Sequence, residues 1–457
     1  MNPVRENGSG TASSNPPGRD LTLDLARVFC VLVVVVAHLL FVGVGSAPDG
    51  GLAVSRPAEN QAWFDAATWV GQVMPLFFVV GGFASITAWR RAGRRGGTAA
   101  SYVGTRLLRL AQPALPLFLF YFVAIAAAHL SGVDPVLIDA VVVGAGSPLW
   151  FLAAYTLCQA LVPAAVALHT RAPVRTVVGL FAGVLVVDAF QFGLGAPALG
   201  YLNLVFVWAL VQQFGFWYAD GWFDRRRWWQ LLLIAAVAWA CLVPLTTFGP
   251  YDPDMLTNLN PPTLPLVLIG LGQACLLRLL KPVLAAIMRA RPAQATVYFF
   301  GGRLMTIYLW HLPVIIVLSA VAILIPGASP EPTTAVWWWT RIPAYLLVLG
   351  VVFLLSLAIG RWEHPRPLAV VPPGHVVVLA AVITFLPPLA VTVWGLDVWI
   401  ALTGSILYAS ALLLIRWPQL SSEASVTIPA VAEEAPLSAP RSAASSTASA
   451  AAEPDGA

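Results

Sequence analysis

Arg27 and His38 lie eleven residues apart in a stretch that is otherwise almost wholly apolar, LDLARVFCVLVVVVAHLL. At 100° per residue, eleven residues of helix return to nearly the same face. Asp24, Arg27, Val31, Val35 and His38 therefore form one stripe. An ionisable side chain in hydrocarbon costs a few kcal/mol by insertion scales, so three in one span point to chemistry and not to anchoring. A neutral imidazole at His38 can take a proton from a hydroxyl near physiological pH. Arg27 can contact an anion, and Asp24, at i and i+3 from it, can fix the guanidinium. Asp24 and His38 are the expected catalytic residues. Counting from Leu21, Arg27 lies about 9 Å and His38 roughly 26 Å along the axis, a separation of roughly 16 Å.

Arg106-Leu-Leu-Arg109 opens the third span. Spacing i and i+3 puts both guanidinium groups on one face, and such a pair suits phosphate oxygens. With Arg27 it forms an expected donor-binding set. The plain alternative is positive charge that fixes topology. Trp150, in SPLWFL, belongs either to an interfacial aromatic belt or to the site. His311, in YLWHLP, is either a structural hydrogen-bonding residue or a site residue, with Pro313 kinking its helix. Asp188, one turn from Gln191, can contact an acceptor hydroxyl or orient His38. Gly81-Gly82 reads as a packing seam. His129, His169, His364 and His375 fall at helix ends or in loops and receive no role. Cys30, Cys158, Cys241 and Cys275 lie in apolar segments without paired or metal spacing, so no metal is expected.

The elements that must carry these residues follow from composition. Of 457 residues, 59% are hydrophobic and 10% charged, against about 25% charged in soluble domains. The fold class is all-α: a polytopic integral membrane helix bundle with about 10–12 transmembrane helices. Apolar runs fall near residues 21–44, 66–89, 107–130, 148–168, 174–193, 199–218, 229–248, 262–280, 304–325, 340–360, 375–394 and 397–415. Residues 1–18 and 418–457 read as disordered tails flanking a membrane domain at 19–417. Twenty-four of the 25 basic residues are arginine, and nearly all fall in alternate short loops. That bias places both termini in the cytoplasm of a cell-membrane protein and excludes a nucleic-acid-binding stripe. No internal repeat is visible, which weighs against the other reading of such a layout, a transporter or exporter of a cell-envelope precursor.

These residues together resemble the acyltransferase 3 family of membrane acyltransferases. LDLARVFCVLVVVVAHLL is similar to its opening span, with an Arg and a His eleven apart. PLFFVVGGFASITAWRR is similar to its second span, Arg106-Leu-Leu-Arg109 matches its R-x-x-R, and LWFLAAY and TIYLWHLPVI resemble later landmarks. The resemblance implies transfer of an acyl group, often acetyl, from cytoplasmic acyl-coenzyme A to a hydroxyl. The acceptor it implies is extracytoplasmic or membrane-bound: a cell-envelope carbohydrate or glycolipid. It implies a catalytic His38, with Arg27, Arg106 and Arg109 handling the donor. Two features depart from it. Tyr155 stands about where members acting on lipopolysaccharide sugars carry an acid, and the family core has about ten spans.

Overall fold

The computed structural model describes residues 20–46 and 52–427. Among the described residues, twelve helical stretches are long and apolar enough to cross a membrane. The bundle is all-α apart from one small hairpin between α1 and α2 and an isolated bridge in a loop. The tail expected at 1–18, Arg19 and residues 428–457 lie outside the described residues. The tail expected from 418 begins as helix, because the last helix continues to Thr427.

Helix α1 (Leu21–Phe41) starts at Asp20, whose carboxylate accepts from the Thr22 backbone N–H at 3.0 Å and from the Thr22 hydroxyl at 2.6 Å. This is an ordinary N-cap. Lys281 Nζ, 3.3 Å from Asp20, ties the cap to a second helix. Strands β1 (Gly43–Ser46) and β2 (Leu52–Ser55) pair antiparallel, Gly43 opposite Ser55. The second span then comes in two pieces, α2 (Phe64–Gly71) and α3 (Met74–Arg94), interrupted at Gln72-Val73.

Helix α4 (Ala99–Leu130) starts from a capping box at Thr98 and Ser101. The fourth span is also broken, into α5 (Pro135–Gly146) and α6 (Trp150–Arg171), with a 3-10 turn at Ser147–Leu149 between them. SPLWFL was expected to open that span at the outer face. It sits instead at this internal break, because the span already begins at Pro135. Broken backbone is tolerated at membrane depth where its polar groups find partners or line a cavity. Both conditions hold here. Gln273 Nε2 donates to the Gln72 carbonyl at 2.7 Å. The Tyr308 hydroxyl donates to the Pro148 carbonyl at 2.7 Å, and that of Tyr121 to the Ala145 carbonyl at 3.1 Å.

The remaining helices are α7 (Pro173–Asp188), α8 (Asn203–Ala219), α9 (Trp228–Thr247), α10 (Leu264–Ile287), α11 (Arg291–Gly301), α12 (Leu304–Leu324), α13 (Ala335–Ile359), α14 (Gly374–Trp394) and α15 (Val398–Thr427). Helices α3 and α8 form the centre of the bundle. Their crossing is close because Gly82 and Gly215 face it: a Cβ on Gly82 would strike the Gln212 carbonyl, and one on Gly215 the Val79 carbonyl. This is the small-residue seam expected at Gly81-Gly82, with Gly82 making the approach. The long loop from Gly249 to Pro262 folds back against α2. Trp69 Nε1 donates to the Pro253 carbonyl at 2.8 Å, and the Met255 N–H to Thr68 Oγ1 at 3.0 Å.

Candidate active site

The stripe on α1 passes two cavities. The first, about 270 Å³, lies towards the arginine-rich end and is bordered by Arg27, Arg106, Arg109, Tyr155, Glu363 and His364 among others. The second, about 300 Å³, lies further along α1 and is bordered by His38, Trp150, Ser147, Gln72, Arg56 and Asn260 among others. Val31 lines the first and Val34 the second. The 3.6-residue period thus presents one face of one helix to both.

In the arginine cavity three guanidinium groups come together from α1 and α4. The ion pairs among the described residues include none of them. Arg27 packs its guanidinium over the Phe77 ring at 5.7 Å, and its Nε is buried without a hydrogen-bond partner. Arg106 lies 5.1 Å over the Tyr102 ring. Glu363 brings a carboxylate to the same wall, but that group accepts from the Thr306 N–H at 2.5 Å, at the start of α12. Burial pushes its carboxyl above the usual range, opposed by the Thr306 contacts. Leu304 and Met305, at the N-terminus of α12, also border the cavity, and a helix N-terminus favours an anion. The chamber thus gathers three guanidinium groups and a helix N-terminus, groups that attract negative charge.

In the histidine cavity, His38 Nδ1 lies 2.9 Å from the Val34 carbonyl. A carbonyl only accepts, so Nδ1 carries a proton in this bond, and in the neutral imidazole Nε2 then holds the lone pair. His311 makes the same kind of bond, Nδ1 to the Tyr308 carbonyl at 2.6 Å. Its ring stands 4.9 Å from that of His38, edge to face, and its Nε2 is buried and unpartnered. His38 lies in the last turn of α1 and His311 in the second turn of α12, so their contact means that the two helices are offset along their length. Trp150 stacks on Trp208 at 5.3 Å, which makes it a wall of the cavity and not a member of an interfacial belt.

Tyr308 borders both cavities. Its ring lies 4.5 Å from that of Phe151, which packs 5.2 Å from Phe77. These aromatic rings form the partition between the chambers.

Two expected residues are not brought to the site. Asp24 is not among the residues bordering either cavity and lies roughly 21 Å of helix rise below His38. Asp188 is held by three donors: Asn203 Nδ2 at 2.7 Å, the Tyr251 hydroxyl at 2.8 Å and the Leu264 N–H at 3.1 Å. It ties the end of α7 to the start of α10, away from His38. Conversely, Tyr308, Glu363 and His364 line the site without having been assigned a role. Tyr308 sat inside a quoted motif. Glu363 and His364 follow the tenth span, where no periodicity marks them.

A membrane bundle with three guanidinium groups at one chamber and two histidines at or beside a second has the side chains that group transfer uses. Residues 20–361 match the acyltransferase domain that defines the acyltransferase 3 family, and the chain belongs to that family. It is a membrane acyltransferase. No curated protein and no solved structure was found to match it. The matched region ends just after α13, so α14 and α15 lie beyond it.

Proposed function

We propose that this acyltransferase moves an acyl group, acetyl being the simplest case, from acyl-coenzyme A to a hydroxyl of a cell-envelope carbohydrate or glycolipid. The observation that carries this reading is that α1 borders both chambers, with Arg27 in one and His38 in the other. The arginine bias supports a cell-membrane protein with a cytoplasmic arginine chamber, cytoplasmic termini and an acceptor reaching His38 from the far side.

In this mechanism Arg27, Arg106 and Arg109 hold the coenzyme phosphates. The pantetheine arm runs up α1 past Val31 and Tyr308, a rise of roughly 16 Å, and presents the thioester near His38. His38 Nε2 removes the acceptor hydroxyl proton as the oxygen attacks the thioester carbon. The resulting oxyanion collapses, the C–S bond breaks, and the thiolate recovers the proton from the imidazolium. The products are the ester and free coenzyme A. Labelled acetyl-coenzyme A incubated with the purified protein and cell-envelope extract tests this. Label is expected in an envelope hydroxyl ester, and export of an unmodified envelope precursor with no transfer or hydrolysis would favour the transporter reading.

A further inference from the structure

The histidine cavity has an annex. A second, smaller void of about 170 Å³ lies between α1 and α2 and shares Val33, Ala37, Phe41, Gly71, Gln72 and Leu256 with the chamber that holds His38. On α1 its wall is a stripe spaced by three and four residues, Val33, Val36, Ala37, Leu40 and Phe41, about 12 Å long. Across from it stand Phe64, Ala67 and Gly71 of α2.

Three observations define what this annex takes. The polar side chains of Thr68 and Gln72 in its wall are already engaged. The Thr68 hydroxyl donates to the Asp65 carbonyl at 2.6 Å and accepts from the Met255 N–H. Gln72 is engaged with the Met255 carbonyl and the Met74 N–H. The annex is flanked by exposed apolar side chains: Val36 on its wall is 38% exposed and Val70, beside Gly71, is 77% exposed, and both belong to candidate membrane spans. Trp63, on the annex wall, packs 6.1 Å from Trp338. Such a pair suits the level where tail meets headgroup.

The chamber it joins adds polar groups to an otherwise apolar wall. Arg56 and Glu59, paired at 2.8 Å, line it together with Ser147 and Asn260. His38 thus faces a chamber with polar groups on its wall, and the apolar slot adjoins that chamber.

We propose that the annex is the tail site of the acceptor, and that the acceptor is an amphiphile with a hydroxylated head and a hydrocarbon chain, reaching His38 laterally between α1 and α2. This rests on the acyl-transfer reading for the identity of the head chamber. The tail site itself is tested by binding.

Gly71 makes that test possible. It borders both voids, and a Cβ built on it meets no atom within 4 Å. Gly71→Leu therefore places an apolar side chain at the wall shared by the two voids, with no atom crowding its Cβ. The probe is a dodecyl glucoside carrying a diazirine in its alkyl chain, photolysed with the full-length protein in nanodiscs and mapped by mass spectrometry. Adducts are expected on Val36, Leu40 or Ala67, reduced at least tenfold by Gly71→Leu and competed by unlabelled dodecyl glucoside but not by methyl glucoside. Absence of adducts there, or labelling indifferent to Gly71→Leu, overturns the proposal. Competition by palmitoyl-coenzyme A alone also overturns it, since the slot would then belong to the acyl chain of the donor. Because labelling requires no turnover, a failed tail site and a failed acyl-transfer reading remain distinguishable.

Discussion

The two chambers along α1 are nearly equal in volume and are made differently. The arginine chamber takes its guanidinium groups from within continuous helices, α1 and the start of α4, and its character is charge. The histidine chamber is framed by broken helix, at Gln72-Val73 and at Ser147–Leu149, and its character is shape. Charge acts over several ångströms and tolerates displacement. Proton transfer needs heavy atoms about 2.6–3.2 Å apart. The first chamber should therefore degrade gradually under mutation and the second abruptly.

The largest effect is expected at His38. His38→Ala should lower kcat by about 10²–10⁴-fold, the usual contribution of a general base, with donor affinity retained in a direct binding assay. Equal losses of affinity and turnover would erase the distinction between the chambers. The next largest is expected from Arg106→Ala combined with Arg109→Ala. Loss of charge-assisted bonds should raise the donor KM roughly 10–100-fold while kcat falls much less. An unchanged donor KM would remove the arginines from the donor site.

These contrasts also show what could be read from sequence. The Arg27–His38 stripe was legible because both ends sit on one helix, where spacing alone fixes the face. Arg106 and Arg109 were legible for the same reason. The helix breaks were not, because hydropathy runs unbroken through Phe64–Arg94 and Pro135–Arg171, and only tertiary partners such as Gln273 and Tyr308 make the interruptions stable. Asp188 misled for a related reason: a buried acid looks the same in sequence whether it meets substrate or three internal donors. That Leu256 and Asn260 line the histidine chamber was not legible either, because it depends on the loop from Gly249 to Pro262 folding back.

Smaller effects sharpen the comparison. Tyr308→Phe leaves the Pro148 carbonyl without its donor, so stability in a thermal melt should fall by about 1–3 kcal/mol, with activity reduced less than tenfold. A loss as deep as that of His38→Ala would make Tyr308 a participant in the chemistry and not a partition. Asp188→Ala should cost stability of the same order by orphaning its three donors, while the pH–rate profile keeps its shape. A displaced profile would return Asp188 to the site. The smallest change is expected from Asp24→Asn, about twofold in transfer rate, on the order of 0.5 kcal/mol for a position away from the site. A fall comparable to that of His38→Ala would restore Asp24 to the catalytic set.

The central claim is that a donor held by the arginine chamber reaches His38. Bromoacetyl-coenzyme A with the His38→Cys protein tests it directly, because attack by the introduced thiolate on the bromoacetyl carbon expels bromide and leaves a mass-detectable adduct. The account expects saturable alkylation at position 38, slowed at least tenfold when Arg106→Ala and Arg109→Ala are added. Alkylation that is absent at saturating analogue, or equally fast without the two arginines, would contradict it.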